Sequence, residues 1–445
     1  MKGLFSLATA ALLGLVAQAA AGPTIARPGG IKDIVITKDN TVNQTAPLRT
    51  VVDDTHFKID AAEAADGSGS FIISIVNNFD SNMKMYLSGH DASGAPVFVG
   101  PGGYVYPQAG ASGQPPVEVS NGDIAFGMGN RGDTTQVTLS QPLISARLWF
   151  SYGELRFFAV RDGNGVSSIV EPAAENPADP SADVLWGFVE FNWDGTSIYA
   201  NISYVDFVGL SLGMGLTLAT GEVQQAPGLA PGAVNDVCNG VKQQTQNDGQ
   251  PWEKLCVVGS DGQPRRVLAP PKYVAANPSE FDDYYTDYVD QVWAKYASQD
   301  LVINTQGEAG EVACRVNGDE LQCANDNRGY PKPTAVDIFG CDTGPFHIVD
   351  GDNGAHKAVV PRLCAAFVRS TLLLDGGDKQ PGLPESSYYT TDPTDHYCRI
   401  VHNYEVNSQG YAFPYDDVNP SGGNAAGVVA GQNPQTLKVT VGGWS

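Results

Sequence analysis

From Ser70 onward the chain is cut into short apolar runs by Gly, Pro and Asn, and this texture limits what it can fold into. Phe71-Ile72-Ile73-Ser74-Ile75-Val76 and Met83-Lys84-Met85-Tyr86-Leu87 read as strands on either side of the polar turn Asn77-Asn78-Phe79-Asp80. More strands are expected over residues 96–99, 117–119, 136–139, 146–151 and 155–160. Many short strands with regular turn signals make a mainly β protein, a sandwich or barrel. The middle of the chain differs. Ser279 with Asp282 has the spacing of a capping box, and Phe281, Tyr285, Tyr288, Val292 and Tyr296 then share one helical face. A second helix is expected over residues 361–371, with Pro361 in its first turn. β texture returns from Tyr388. The expected layout is a polar lead-in at 22–69, a β-barrel or sandwich over 70–235 and 376–445, and a mixed α/β insertion at 236–375. An open groove is expected between the last two.

The first residues speak to the compartment. Lys2, an apolar run over residues 4–16 and Ala17-Gln18-Ala19 have the n-region, h-region and cleavage site of a signal peptide over 1–21. The run is shorter than the ~20 apolar residues that a membrane span needs. A secreted protein, extracellular or in the cell wall, is expected. With 26 basic against 49 acidic residues the net charge is −23. Nucleic acid and anionic membrane are therefore poor partners, since both need clustered Lys and Arg. A neutral polysaccharide remains compatible. Seven cysteines lie between Cys238 and Cys398. In an oxidising compartment they should pair. Cys314 and Cys323 flank a short polar loop and are the best local pair, with Cys238 and Cys256 next. Cys341, Cys364 and Cys398 leave one pair and one free thiol, and Cys398 is expected to bridge to Cys341 or Cys364, tying insertion to barrel. No cysteine spacing or HExxH pattern suggests a metal site, and no cofactor is expected. Sequons stand at Asn43 and Asn201.

The chemistry concentrates in residues 185–214, LWGFVEFNWDGTSIYANISYVDFVGLSLGM. Glu190 sits in one strand among Phe188, Val189, Phe191 and Trp193, and Asp206 in a second between Val205 and Phe207. A carboxylate among aromatics must be paired or tuned, and apolar neighbours raise its pKa as a general acid requires. The bland alternative is that both occupy the polar face of a half-exposed hairpin. A tight turn at Asp194-Gly195 would set Glu190 opposite Tyr199 with Asp206 seven residues further along. At ~3.3 Å per residue that is about 23 Å, so the strands must bend near residues 201–203 for the pair to cooperate.

The same segment resembles the acidic cleft of thaumatin-like proteins, a Glu-Phe strand followed by Tyr-x-x-Ser-x-Val-Asp, here Glu190-Phe191 and residues 199–206. It is more similar to glycoside hydrolase family 64, the β-1,3-glucanases. Arg147-Leu148-Trp149-Phe150-Ser151, Glu171-Pro172, His396-Tyr397 and Tyr411-Ala412-Phe413-Pro414-Tyr415-Asp416-Asp417-Val418 fit that family too. The resemblance implies a thaumatin-like β-barrel, an inverting acid–base mechanism with Glu190 as acid and Asp206 as base, and β-1,3-glucan as the substrate of a monomer. It also places sugar contacts at Asn192, Asp194, Thr196 and Tyr199. Trp149, Trp193, Tyr411 and Tyr415 could stack on glucose rings, though aromatics of this kind more often fill a core. Of Asp416 and Asp417, one is expected to line the cleft and one to cap a turn, and Asp416 is taken as the sugar contact. The alternative in a different class is a thaumatin-like β-glucan-binding or antifungal protein with no turnover. It is disfavoured because both carboxylates are present.

Overall fold

A computed structural model describes residues 49–51, 70–161, 165, 167–420 and 426–444. The expected signal peptide at 1–21, most of the lead-in and the Asn43 sequon lie outside the described residues. The strands that carry the core are, in chain order, β1 (Phe71–Asn77), β2 (Met83–His90), β3 (Leu143–Tyr152), β4 (Leu185–Trp193) and β5 (Ser197–Ile202). They continue with β6 (Phe207–Val208), β7 (Leu212–Leu218), β8 (Pro264–Leu268), β9 (Val429–Gln432) and β10 (Pro434–Val441).

Two open sheets pack face to face. The larger runs from the strand Arg49–Val51 through Gly103–Tyr106, Pro96–Gly100, β2, β3, β4 and β5 to β9. The smaller runs Val223–Ala226, β7, β10, β1, Thr134–Leu139, with β10 parallel to β1. Alternation decides which side chains fill the space between them. Phe71, Ile73 and Ile75 of β1 meet Val189, Phe191 and Trp193 of β4 in one buried cluster, with the Phe71 and Trp193 rings 5.4 Å apart. Both sheets end in edge strands, so the fold is a sandwich; the closed barrel offered as the alternative does not form among the described residues.

The outer face of the larger sheet carries a second cluster. Tyr86, Trp149, Trp186 and Phe188 pack there with Phe157 and Phe207. Trp149 sits 5.1 Å from Phe188 and 5.5 Å from both Phe157 and Trp186, ring to ring. This aromatic floor ends where Glu190 begins.

Helices fill the middle of the chain: α1 (Ala233–Asp248), α2 (Pro270–Ala276), α3 (Thr286–Tyr296), α4 (Gly354–Val368) and α5 (His396–Tyr404). The expected apolar stripe of Phe281, Tyr285, Tyr288, Val292 and Tyr296 is buried throughout. The helix itself starts later than expected, at Thr286. Phe281 has φ +65°, a left-handed value that α-helix excludes, so residues 279–285 make turns instead. The second helix starts earlier than expected, because the Asn353 side chain caps it by accepting from the His356 N–H. Pro361 then falls inside α4 and not in its first turn. Beyond Tyr388 the first regular element of more than one turn is α5, capped by Asp395, and strands resume only at β9.

Cys314–Cys323 and Cys238–Cys256 are bridged as expected, and the third disulfide is Cys341–Cys364. The expected bridge from Cys398 does not form. Cys398 is a buried free thiol on α5, facing the Ala412 carbonyl at 3.6 Å. Its burial raises the thiol pKa well above normal, which makes it inert.

Candidate active site

The register of β4 places the chemistry. The turn between β4 and β5 is centred on Gly195-Thr196, one residue later than expected: the Asp194 N–H bonds the Ser197 carbonyl at 3.2 Å, and the Asp194 carboxylate accepts from the N–H groups of Thr196 and Ser197 at 2.8 and 2.7 Å and from the Ser197 hydroxyl at 2.7 Å. Trp193 therefore pairs with Ile198, and Glu190 lies opposite Asn201, two residues from the Tyr199 that a turn at Asp194-Gly195 would have given it. On its other side Glu190 pairs with Arg147 of β3. Cross-strand partners share a face, so Arg147, Glu190, Asn201, Asn192 and Tyr199 all stand on the outer face of the larger sheet.

Arg147 is the centre of this face. It is buried, and its guanidinium lies 4.8 Å over the Phe188 ring. Its Nε and Nη2 donate to Glu190 Oε1 at 3.1 and 2.9 Å, and Nη1 donates to Glu171 Oε2 at 2.5 Å. Trp149 Nε1 donates to Ser88 Oγ, which in turn reaches Glu171 Oε1. Both bonds to Glu190 go to one oxygen. The other, Oε2, has no hydrogen bond among the described residues.

The chain bends where cooperation with Asp206 requires it. β5 stops at Ile202, and the Tyr204 N–H bonds the Tyr411 carbonyl at 2.7 Å. Asp206 then enters β6, which pairs with β8, and the Ala269 N–H bonds the Asp206 carbonyl at 2.9 Å. From β8 the chain runs straight into α2, which brings Lys272 Nζ to 3.2 Å from Asp206 Oδ1. The Glu190 and Asp206 carboxyls are each 19 % exposed, and Asp206 lies near enough for its charge to act on Glu190.

Electrostatics separate the two carboxyls. Burial raises the Glu190 pKa, and the nearby Asp206 and Glu171 charges raise it further, against the pull of Arg147; the net shift is upward. Burial would lower Lys272, but the Asp206 carboxylate more than offsets it and holds the ammonium above its ordinary value. Arg147 is likewise raised by Glu171, Glu190 and Asp206 despite its burial. Burial lifts the Tyr199 phenol, helped by the nearby Asp417 and Glu190 charges.

The remaining sequence-derived positions divide. Tyr199 and Asn192 are half-buried on the groove face, and Asn192 Oδ1 accepts from the Ser145 N–H at 2.6 Å. Thr196 and Asp194 are exposed on the turn, which Asp194 builds. Tyr415 is half-buried, its phenol pushed up to about 12 by burial and by Asp342. Trp149, Trp193 and Tyr411 are buried at 1–3 % exposure, so their rings are core and cannot stack on a sugar. Asp416 is fully buried in an ion pair with Arg369, and of the two aspartates it is Asp417 that is exposed. Asn201 is 5 % exposed inside β5, where no glycan could be attached in the folded chain. Sequence reading gave no role to Arg147, Glu171 or Lys272. Arg147 could have been found by the reasoning used for Glu190, a charge set among aromatics in a strand. Lys272, sixty-six positions beyond Asp206, left no such signal.

Known proteins similar to this chain are β-1,3-glucanases. The glycoside hydrolase family 64 model, described as β-1,3-glucanase, matches residues 69–441. A glucan endo-1,3-beta-glucosidase of Cellulosimicrobium cellulans is 28 % identical over 315 residues, 68 % of this chain and 53 % of that protein. One of Arthrobacter sp. (strain YCWD3) is 27 % identical over the same shares. The chain thus spans about half the length of these curated relatives. Among solved structures, a laminaripentaose-producing β-1,3-glucanase in complex with laminaritetraose superposes with TM-score 0.72 at 25 % identity, covering 84 % of this chain and 98 % of that one. A β-1,3-glucanase domain from Clostridium beijerinckii shares the fold, with TM-score 0.66 at 20 % identity, over 86 % of this chain and all of that one.

Proposed function

The chain belongs to glycoside hydrolase family 64, and from that premise we propose that it hydrolyses β-1,3-glucan with inversion, Glu190 acting as general acid and Asp206 as general base. The observation that carries this reading is the unequal surroundings of two carboxyls on one groove. Three carboxyls, Glu171, Glu190 and Asp206, crowd about Arg147, and Asp206 alone has a second cation, Lys272. Two cations cannot neutralise three carboxylates. The proton belongs on Glu190, whose pKa is raised, and its unbonded Oε2 is the atom to carry it.

Glu190 then gives that proton to the glycosidic oxygen as the C1–O bond breaks. Asp206 takes a proton from a water that attacks C1 from the opposite face, and the new hydroxyl is α. Arg147 holds the Glu190 carboxylate after transfer, so the acid stays in place when charged. The product then leaves, and solvent returns the proton.

Secretion fits the three disulfides, which persist in oxidising compartments. One chain supplies both carboxyls, consistent with a monomer. The test is hydrolysis of laminarin followed by proton NMR. Reducing ends should appear, with the α-anomer first. A glucan-binding protein would release none, and β-anomer first would mean a retaining mechanism with carboxyls only ~5 Å apart.

A further inference from the structure

Asn201 Oδ1 is buried and has no hydrogen-bond partner among the described residues, although most buried acceptors in folded proteins are satisfied. The residue is 5 % exposed and stands directly opposite Glu190 in the β4–β5 register. Its strand neighbour Tyr199 lies two positions away on the same face, opposite Asn192. Leaving an acceptor unpaired in such a place is unfavourable unless a donor arrives in the working state. The neighbour across the strand is a carboxyl with one oxygen committed to Arg147 and the other unbonded.

We propose that Asn201 is a positioning residue whose Oδ1 accepts the hydrogen bond of protonated Glu190, holding the acid's proton on Oε2 until the leaving oxygen takes it. The inference rests on the acid assignment for Glu190. Both loose ends close together, since a protonated carboxyl is a donor and Asn201 supplies the acceptor. Cross-strand neighbours on one face have Cβ atoms about 4.5–5.5 Å apart, within reach of such a bond. The raised pKa of Glu190 agrees, and this contact is additional to its burial. The other groups facing Glu190 are Arg147 from β3, Glu171 beyond the strand Ser167–Val170, Asp206 before β6, and Tyr199 from β5. Lys272 and Asp417 act one step further out, through Asp206 and Tyr199.

The test is the pH profile of kcat/KM on laminarin for Asn201→Leu and Asn201→Asp. The basic limb of that profile reports loss of the acid's proton in the free enzyme. Asn201→Leu removes the acceptor at similar size and should move the basic limb down by about one pH unit, the effect of one hydrogen bond. It should leave Tm unchanged or higher, because an unpaired buried acceptor is replaced by an apolar group. Asn201→Asp keeps an acceptor and adds charge, so it should move the limb up. If neither variant moves the limb, or if KM rises with the limb fixed, Asn201 contacts the sugar instead and the inference is overturned. Glu190→Gln, assayed alongside, separates the two levels. If that variant keeps more than about a tenth of the rate, the acid assignment itself has failed.

Discussion

Two clusters in this molecule have the same chemistry and opposite access. In the groove, Arg147 stands between Glu171 and Glu190, whose carboxyls are 13 % and 19 % exposed. Beneath the segment 411–418, Arg369 pairs with Asp416, and His402 bridges Asp416 to Glu405; both carboxyls are at most 1 % exposed. The closed cluster spends its bonds on the chain itself. Arg369 donates to the carbonyls of Val418 and Asp416, and Asp416 Oδ2 accepts from the Ala412 N–H at 2.8 Å. Asp416 thus ties Arg369, His402 and the Ala412 backbone together, next to Asp417, whose charge reaches Tyr199. In the open cluster Oε2 of Glu190 keeps no such bond. An arginine between carboxylates is thus a structural clamp or a reactive site according to whether an oxygen is left facing the groove.

The comparison is broken most sharply by one substitution in each cluster. Glu190→Gln should lower kcat on laminarin by about 10²–10⁴-fold while far-UV CD and Tm change little, because Arg147 keeps Glu171 as its partner. A variant that lost its fold instead would make the groove cluster structural. Arg369→Met leaves the buried Asp416 carboxylate with His402 as its charged partner and breaks a buried ion pair, and should destabilise the protein by about 3–5 kcal/mol in urea unfolding. Whatever of it folds should keep a measurable kcat. Loss of kcat with stability intact would move Arg369 into the active site.

The smaller effect is in pH. Burial would lower His402, but Glu405 and Asp416 raise it well above its ordinary 6.5. Its contribution to stability is complete below about 6.5 and is lost as pH rises through the folded value. Asp395, raised by burial to about 6, acts with the same sign, its contribution fading between about 4 and 6. His396, lowered to about 4 mainly by burial, acts with the opposite sign between about 4 and 6.5 and offsets Asp395 there, so Tm should fall only as pH rises above about 6.5, and His402→Gln should flatten that fall. The groove shows its own pH response as activity, through the basic limb set by Glu190. If His402→Gln moved that limb and left the Tm slope alone, the two clusters would be coupled and the contrast between them lost.

Local pattern was enough for much of this molecule. Short apolar runs bounded by turn residues announced β1 to β5, because a strand needs only a few apolar residues and a local signal to stop. The stripe from Phe281 to Tyr296 announced a buried face for the same kind of reason. Glu190 stood out because a charge among Phe and Trp is expensive wherever it lies. The bend before Asp206 followed from simple distance. What sequence could not supply depends on groups that meet only when the chain closes on itself. A turn centred on Gly195-Thr196, one residue later than expected, set the β4–β5 register and put Asn201, not Tyr199, opposite Glu190. Phe281 took a left-handed φ that no periodicity foretells. Cys341 chose Cys364 because their Cα atoms come within 5.8 Å, and Cys398 was left in the core. Asp416, read as a sugar contact, was claimed by Arg369 and His402 from two other helical segments. Lys272 reached Asp206 only through the pairing of β6 with β8. Alternation and burial are properties of neighbours in the chain, whereas the partner of a charge is a property of neighbours in space.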